Sequence, residues 1–332
     1  MKLAVTALCL LLAACGTTNT KQKIRLASAG PGLQPFSIPI TLAQSLGYFA
    51  EEGLDVSVES LPSIGKALQA LLGGSVDAAS VSYAQVLQVA AEGQRLQSFF
   101  VMNRRGSNTL LVAPSATDRI RRPEDLKGAL VGVSSPGSST HIFANYYLAA
   151  RGIQPSEFRT VGIGTGAPAV AAIESGRIDA ATVGGGDHLI LRRRHPNLRV
   201  LIDSSTAEGL REIYGGDIYA SGALSARPEW LTANPDAARR LARALSRAHQ
   251  WITAHKPEDL LDKLPAELHS VDRSLDIELL QWGMESYTAD GKMPPGAPEV
   301  MKRYIEATVP AVRNAKIDLA STWTNDFLPE PK

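Results

Sequence analysis

GKALQALLGGSVDAASVS, from Gly65 to Ser82, and APAVAAIESGRIDAATVG, from Ala167 to Gly184, are two copies of one pattern. Aligned on Asp77 and Asp179, Ala67 matches Ala169, Ala70 matches Ala172, Gly74 matches Gly176, Ala78-Ala79 match Ala180-Ala181, and Val81 matches Val183. In each copy an Ala-rich helix is closed by a glycine near its C-terminus. A turn then leads into a short strand of small apolar residues. That strand ends in a loop rich in Ser or Gly, Ser80-Val81-Ser82-Tyr83 in one copy and Gly184-Gly185-Gly186-Asp187 in the other, after which a further helix begins.

The correspondence continues upstream. A helix end at Leu46–Leu54 precedes a strand over Asp55–Ser60, and its counterpart at Tyr147–Ile153 precedes a strand over Phe158–Ile163. The first strands are Ile24–Ser28 and Leu130–Ser134. Each half reads β-α-β-α-β, which predicts a mostly parallel sheet covered by helices on both faces. The period of about 100 residues is too long for a solenoid, so two halves mean two α/β lobes.

Asn108–Ala113 and Asp217–Leu224 read as strands crossing between the lobes, with hinges at about Val112–Pro114 and Tyr219–Gly222. Helices follow over Pro228–His255, Leu275–Thr288 and Pro298–Asn314, and all four tryptophans after the second crossing are expected to pack there. The expected division is lobe one over residues 24–113 plus 222–332, and lobe two over 114–221.

The N-terminus reads MKLAVTALCLLLAAC. Lys2 and the uncharged run Leu3–Ala14 fit a signal peptide and are too short for a permanent span. Leu12-Ala13-Ala14-Cys15 resembles a bacterial lipobox, so residues 1–14 are expected to be cleaved and Cys15 lipidated, with 15–23 as a tether. The expected location is the periplasmic side of a bacterial membrane, anchored by lipid alone. With Cys9 removed and Cys15 modified, the folded part has no thiol for disulfides, nucleophilic chemistry or zinc. The net charge of +1 offers no field for nucleic acid.

Three further runs carry a family likeness. Gly47-Tyr48-Phe49-Ala50-Glu51-Glu52-Gly53-Leu54-Asp55-Val56, Lys66–Asp77 and Gly132–Thr140 resemble the NMT1/THI5-like (nitrate/sulfonate/taurine-type) solute-binding proteins of ABC importers. The likeness covers essentially the whole chain after the leader. It implies a type II-like periplasmic-binding-protein fold, two crossing strands, a cleft between the lobes, and as partners an ABC permease and its ATPase. A monomer is expected, with no cofactor and no metal. The ligands of that family are diverse, so the likeness names none.

In open parallel sheets, ligands sit beyond the carboxyl ends of the strands. This rule nominates Phe36 and Ser37 after the first strand, Ser63 and Gly65 after the second, and Ser82 and Tyr83 after the third. In lobe two it nominates Ser135, Gly137, Ser138, Ser139 and Thr140, then Thr165, then Gly185 and Asp187. Ser134–Thr140 is the strongest of these. Its glycine admits a close ligand, its hydroxyls donate and accept, and a helix N-terminus favours an anion. Ser138 or Ser139 could serve only as a helix cap, and Tyr83 only as packing. Asp187 either caps the following helix or holds a ligand amine.

Gly162-Ile163-Gly164-Thr165-Gly166-Ala167 imitates a dinucleotide fingerprint but lies on the second strand of its unit, where the repeat accounts for it. Arg192-Arg193-Arg194 reads as a solvated face near a helix C-terminus. There is no GxSxG, HExxH or Walker loop. His141 near the serines lacks an orienting partner in sequence, so no catalytic residue is assigned.

The function expected is capture of a small organic or inorganic anion by hinge closure. A neutral heteroaromatic, such as a thiamine pyrimidine precursor held by Phe36 and Tyr83, is the alternative. An exported enzyme or a transporter-independent sensing lipoprotein are the rival classes.

Overall fold

The computed structural model describes residues 21–29, 33–61, 64–216 and 219–330. Cys15, the leader and Ser63 lie outside these.

The chain runs β1 (Gln22–Ala29), α1 (Ile38–Ser45), α2 (Tyr48–Glu51), β2 (Leu54–Leu61), α3 (Ile64–Leu72), β3 (Ala78–Ser82), α4 (Tyr83–Ala91) and β4 (Gln97–Asn103). It continues through β5 (Asn108–Val112), β6 (Leu130–Val133), α5 (Ser139–Ala149), β7 (Arg159–Gly162), α6 (Ala167–Glu174), β8 (Ala180–Gly184), α7 (Gly185–Arg194), β9 (Val200–Asp203) and α8 (Ala207–Tyr214). It then returns as β10 (Gly222–Ala226) and finishes in α9 (Pro228–Ala233), α10 (Pro235–Ala254), α11 (Pro257–Lys263), α12 (Arg273–Met284), α13 (Ala297–Glu306) and α14 (Pro310–Asn314).

Among the described residues these strands form two five-stranded sheets, ordered β2-β1-β3-β10-β4 and β7-β6-β8-β5-β9. The two orders are equivalent strand for strand. In each sheet three strands pair in parallel and one inserted strand, β10 or β5, runs antiparallel. Leu26 pairs with Ala78 in one sheet and Val131 with Ala180 in the other.

The repeated aspartates close both sheets in the same way. Asp77 Oδ2 accepts the Arg25 amide at 2.8 Å, and Asp179 Oδ2 accepts the Leu130 amide at 2.8 Å. The Asp77 and Asp179 amides donate back to the Arg25 and Leu130 carbonyls. Gly74 and Gly176 sit at φ +78° and +71°, beyond the ends of α3 and α6, where a Cβ would be strained.

Small residues form the middle of each sheet. Ala78, Ala79, Ala180 and Ala181 are fully buried, so helices approach both faces closely. Sheet one is covered by α10, whose Leu241, Leu245, Ala248 and Ile252 recur at helical spacing and are fully buried.

Three boundaries differ from the sequence expectation. Asn108–Val112 belongs to sheet two, paired with β8 and β9, so the first crossing lies at Arg104–Ser107 rather than at Val112–Pro114. A strand flanked on both sides by hydrogen-bonded partners cannot act as a hinge. β1 starts at Gln22, paired with Leu54, which takes two residues from the expected tether. The helix expected over Pro228–His255 breaks at Asn234 (φ −130°, ψ 48°), because Pro235 pushes the residue before it out of the helical region.

Candidate functional site

The carboxyl ends of β1, β2 and β3 in lobe one, and of β6, β7 and β8 in lobe two, carry the nominated loops. In lobe one the Phe36 loop is held from two sides. Ser80 Oγ donates to the Phe36 carbonyl at 2.8 Å, and the Tyr287 hydroxyl donates to the Pro35 carbonyl at 2.9 Å. The half-buried Phe36 ring lies against Gly222, in the space a Cβ there would need. Ser37 is buried and its hydroxyl donates to the Gln34 carbonyl at 3.1 Å, so it shapes the turn. Gly65 in the first turn of α3 and Ser82 before α4 are both half-buried.

Tyr83 requires a correction. Its ring is fully buried, and its hydroxyl shares a 2.7 Å hydrogen bond with Thr322 Oγ1. Burial pushes its pKa well above the usual phenol range. The aromatic residue expected at the cleft is instead a strut between α4 and the C-terminal segment. Tyr83→Phe is expected to lower stability by ~1 kcal/mol, the worth of one hydrogen bond, and to leave solute affinity at the wild-type value. A tenfold affinity loss measured calorimetrically would return Tyr83 to the site.

In lobe two the loop from Ser134 to Thr140 divides into hydroxyls already used and hydroxyls on offer. Thr140 is buried, and its Oγ1 accepts the Ser134 amide at 2.9 Å. The same hydroxyl meets Ser134 Oγ at 2.9 Å and Ser138 Oγ at 2.8 Å. Ser138 Oγ also accepts the His141 amide at 3.3 Å, as an N-cap does. Thr140 and Ser138 therefore build the loop, while Ser135, Gly137 and Ser139 are exposed. The first N–H groups of α5 have no partner within the helix.

His141 does not activate a serine. Its Nδ1 accepts the Gly137 amide at 2.9 Å, its Nε2 lies 3.3 Å from Asn145 Nδ2, and burial lowers its pKa, favouring the neutral ring.

Asp187 is buried in the first turn of α7, and its Oδ1 accepts the Gly166 amide at 2.9 Å. It thus caps the helix before its own, α6, rather than α7. Burial raises its pKa, and the Gly166 hydrogen bond opposes that rise. Thr165 in the adjoining turn is exposed. Gly185, which opens α7, is buried because the Trp282 ring fills the space where its Cβ would stand.

That contact was not legible in the sequence. Trp282 lies on α12, about 100 residues from Gly185, and no local periodicity links the two. Its neighbour Gly283 approaches Pro35 of the Phe36 loop, with 3.5 Å from Pro35 Cγ to the position of a Cβ. Loops from both lobes therefore converge around one indole.

Arg104 and Arg105 at the first crossing pair with Asp290 and Glu285 at 2.7 Å each. Arg192 and Arg193 lie exposed in the last turn of α7, as expected, and also pair with Glu278 on α12 at 2.9 and 2.6 Å. A concavity of about 250 Å³ borders the crossing, between Arg104, Leu210 and Tyr287. None of the nominated residues lines it. Among the described residues no cluster of His, Cys, Asp or Glu is placed to hold a metal, and no helix is long and apolar enough to cross a membrane.

Two equivalent five-stranded lobes joined by two crossings, with loops meeting at the carboxyl ends of their parallel strands, define the two-lobed periplasmic-binding-protein fold. The chain belongs to the NMT1/THI5-like family, whose model, described as NMT1/THI5 like, matches residues 34–259.

The putative binding protein YtlA of Bacillus subtilis (strain 168) is 24% identical over 291 residues, which span 86% of this chain and 81% of YtlA. A solved protein of Bordetella bronchiseptica RB50 is 31% identical with a TM-score of 0.80, covering 93% of this chain and 96% of that one. The periplasmic aliphatic sulphonate binding protein SsuA of Escherichia coli shares the fold at 19% identity with a TM-score of 0.72, over 92% and 99% of the two chains. YtlA and SsuA are both binding proteins, and the likeness to SsuA is one of fold.

Proposed function

We propose that this chain is the solute-binding component of an ABC importer and that it captures a small anion between its lobes. The observation that carries the reading is the α5 entry. Ser138 and Thr140 use their hydroxyls to hold the loop, which leaves Ser135, Gly137 and Ser139 exposed at the start of α5, where the first helix amides lack an intrahelical acceptor. Amides and hydroxyls of that kind suit a sulfonate, nitrate or carboxylate. Thr165 across the loop adds one more exposed hydroxyl.

Solute binds to one lobe first, and rotation about Arg104–Ser107 and the second crossing brings the other lobe over it. The closed form is what a permease with its ATPase recognises. Lipidation at Cys15 would hold a monomer on the periplasmic side of a bacterial membrane. That reading rests on the leader sequence alone.

Native mass spectrometry of freshly purified protein, followed by thermal shift with taurine, nitrate, an alkanesulfonate and benzoate, tests this. The expected result is a raised melting temperature with one of them and recovery of that solute unchanged. Chemical conversion of the solute would place the chain among enzymes. Ser135→Ala combined with Ser139→Ala is expected to weaken binding of the active anion by ~150-fold or more, about 3 kcal/mol for two hydrogen bonds to a charged group. Unchanged affinity in the double variant would remove the α5 entry from the site.

A second reading, a neutral heteroaromatic solute, is favoured by one observation: half-buried Phe36 stands on one of the convergent loops, and half-buried Trp282 packs on Gly185, two residues from the Asp187 carboxyl whose pKa burial raises. An aminopyrimidine in the same thermal-shift panel separates the two readings.

A further inference from the structure

We infer that α12 is an interlobe clasp, in which Glu278 and Asp272 tether Arg192 and Arg193 of lobe two while Trp282 keys into the gap left by Gly185, making Trp282 a positioning residue for the cleft. This goes beyond the choice of solute and does not depend on it.

One face of α12 is rooted in lobe one. Asp276, Leu280 and Gly283 are its buried positions, and Leu280 joins the apolar core formed by sheet one and α10. The turn that follows is fixed to the same lobe. Tyr287 donates to the Pro35 carbonyl at 2.9 Å, and the Arg104 amide donates to the Ser286 carbonyl at 2.9 Å.

The other face carries Glu278, Leu279 and Trp282, which i,i+3 and i,i+4 spacing brings onto one stripe. That stripe meets α7 of lobe two. Glu278 takes Arg192 at 2.9 Å and Arg193 at 2.6 Å, and Asp272 at the helix start takes Arg193 at 3.0 Å. Leu279 lies 3.5 Å from where a Gly186 Cβ would be. Trp282 lies over Gly185, and only a residue without a side chain allows that approach. A single exposed ion pair holds little. Here two arginines share two carboxylates beside a packed indole, and the contact spans two bodies that otherwise pivot at their crossings.

The consequence is geometric. The distance between the lobes near the carboxyl ends of β3 and β8 is set by the thickness of an indole on a bare helix start. The clasp is therefore a fixed stop that shapes the cleft before any solute arrives.

Small-angle scattering of the solute-free full chain tests this. Gly185→Ala should force the lobes apart and raise the radius of gyration by ~1 Å on about 20 Å for a compact chain of this length. Trp282→Ala alone should let the lobes draw closer and lower the radius of gyration slightly, because the stop is gone while the ion pairs remain. The double variant Gly185→Ala/Trp282→Ala should behave as Trp282→Ala does, because the added methyl then has room. Arg193→Glu should open the lobes as Gly185→Ala does, and Glu278→Arg in that background should restore them. Far-UV circular dichroism confirms that each variant folds.

Unchanged dimensions in both Gly185→Ala and Arg193→Glu would overturn the clasp. So would a Gly185→Ala effect that persists once Trp282 is removed. Because no solute is present, a chain that binds none of the solutes in the panel would sink the transport reading and leave this result untouched.

Discussion

Asp77→Ala is expected to weaken lobe one and Asp179→Ala lobe two, each by roughly 2 kcal/mol, the cost of leaving a strand amide without its charged acceptor. The two changes lie in separate sheets, so the double variant should lose the sum, about 4 kcal/mol. Each aspartate grips the adjacent strand of its sheet, its carboxylate accepting from that strand's amide while its own backbone amide donates to the same residue's carbonyl. The guanidiniums of Arg25 and Arg119 also reach these carboxylates, but both are more than half exposed and add little.

Hydrogen exchange read by mass spectrometry should show faster exchange confined to β1–β3 for Asp77→Ala and to β6–β8 for Asp179→Ala. Equal loosening of both sheets by either variant would mean that the repeat does not define independent units. Acid should mimic the first variant. Burial raises the Asp77 pKa, but hydrogen bonds and charge from Arg25 outweigh it and hold the carboxyl below its usual value. A carboxyl with a lowered folded pKa stabilises above its unfolded pKa, near 4, and that contribution is lost as pH falls through the folded value.

Lowering the pH from 7 to 4 is expected to cost lobe one a further ~3 kcal/mol through His249, at about 1.4 kcal/mol per unit of pKa. His249 is fully buried on α10, and its Nδ1 donates to the Thr288 carbonyl at 2.6 Å. Its Nε2 is buried with no partner, and the edges and faces of Phe100 and Tyr287 surround the ring. Burial pushes its pKa down to about 4, against smaller opposing effects from the Thr288 carbonyl and Asp290. Below about 6.5 the unfolded chain takes up a proton that the folded chain refuses, so stability falls steadily between about 6.5 and about 4 and levels off below that.

Thr288 follows Tyr287, which grips the Pro35 carbonyl, so the same acid step loosens the Phe36 side of the cleft. Urea denaturation at pH 7, 5.5 and 4 measures the loss. His249→Asn, which keeps a donor near the Nδ1 position but does not titrate, should flatten the slope by most of that amount. An unchanged slope would assign the acid sensitivity elsewhere. His188 in lobe two, also buried and lowered in pKa despite Asp203 beside it, is the residue to replace next.

Much of this molecule is readable in two eighteen-residue segments. The alignment of Asp77 with Asp179 located the helix ends, the central strands and the loops at their carboxyl ends, because each of those features is decided by neighbours in sequence: a glycine past a helix, small residues in a strand, a serine before a helix start. The Ser134–Thr140 loop was visible for that reason. Which of its hydroxyls are free was not, since Thr140 and Ser135 differ only in what surrounds them.

What the sequence alone determined is the repeating unit, with Asp77 and Asp179 at equivalent positions, and the helix ends and strands around them. Tertiary structure alone decided the rest. It placed β5 and β10 in the sheets across the crossings, buried Tyr83 against Thr322 and laid Trp282 on Gly185. Those contacts join residues on the order of 100 or more positions apart. They are chosen by complementary shape and by which buried polar groups need partners, and neither quantity has a period that a linear sequence can display.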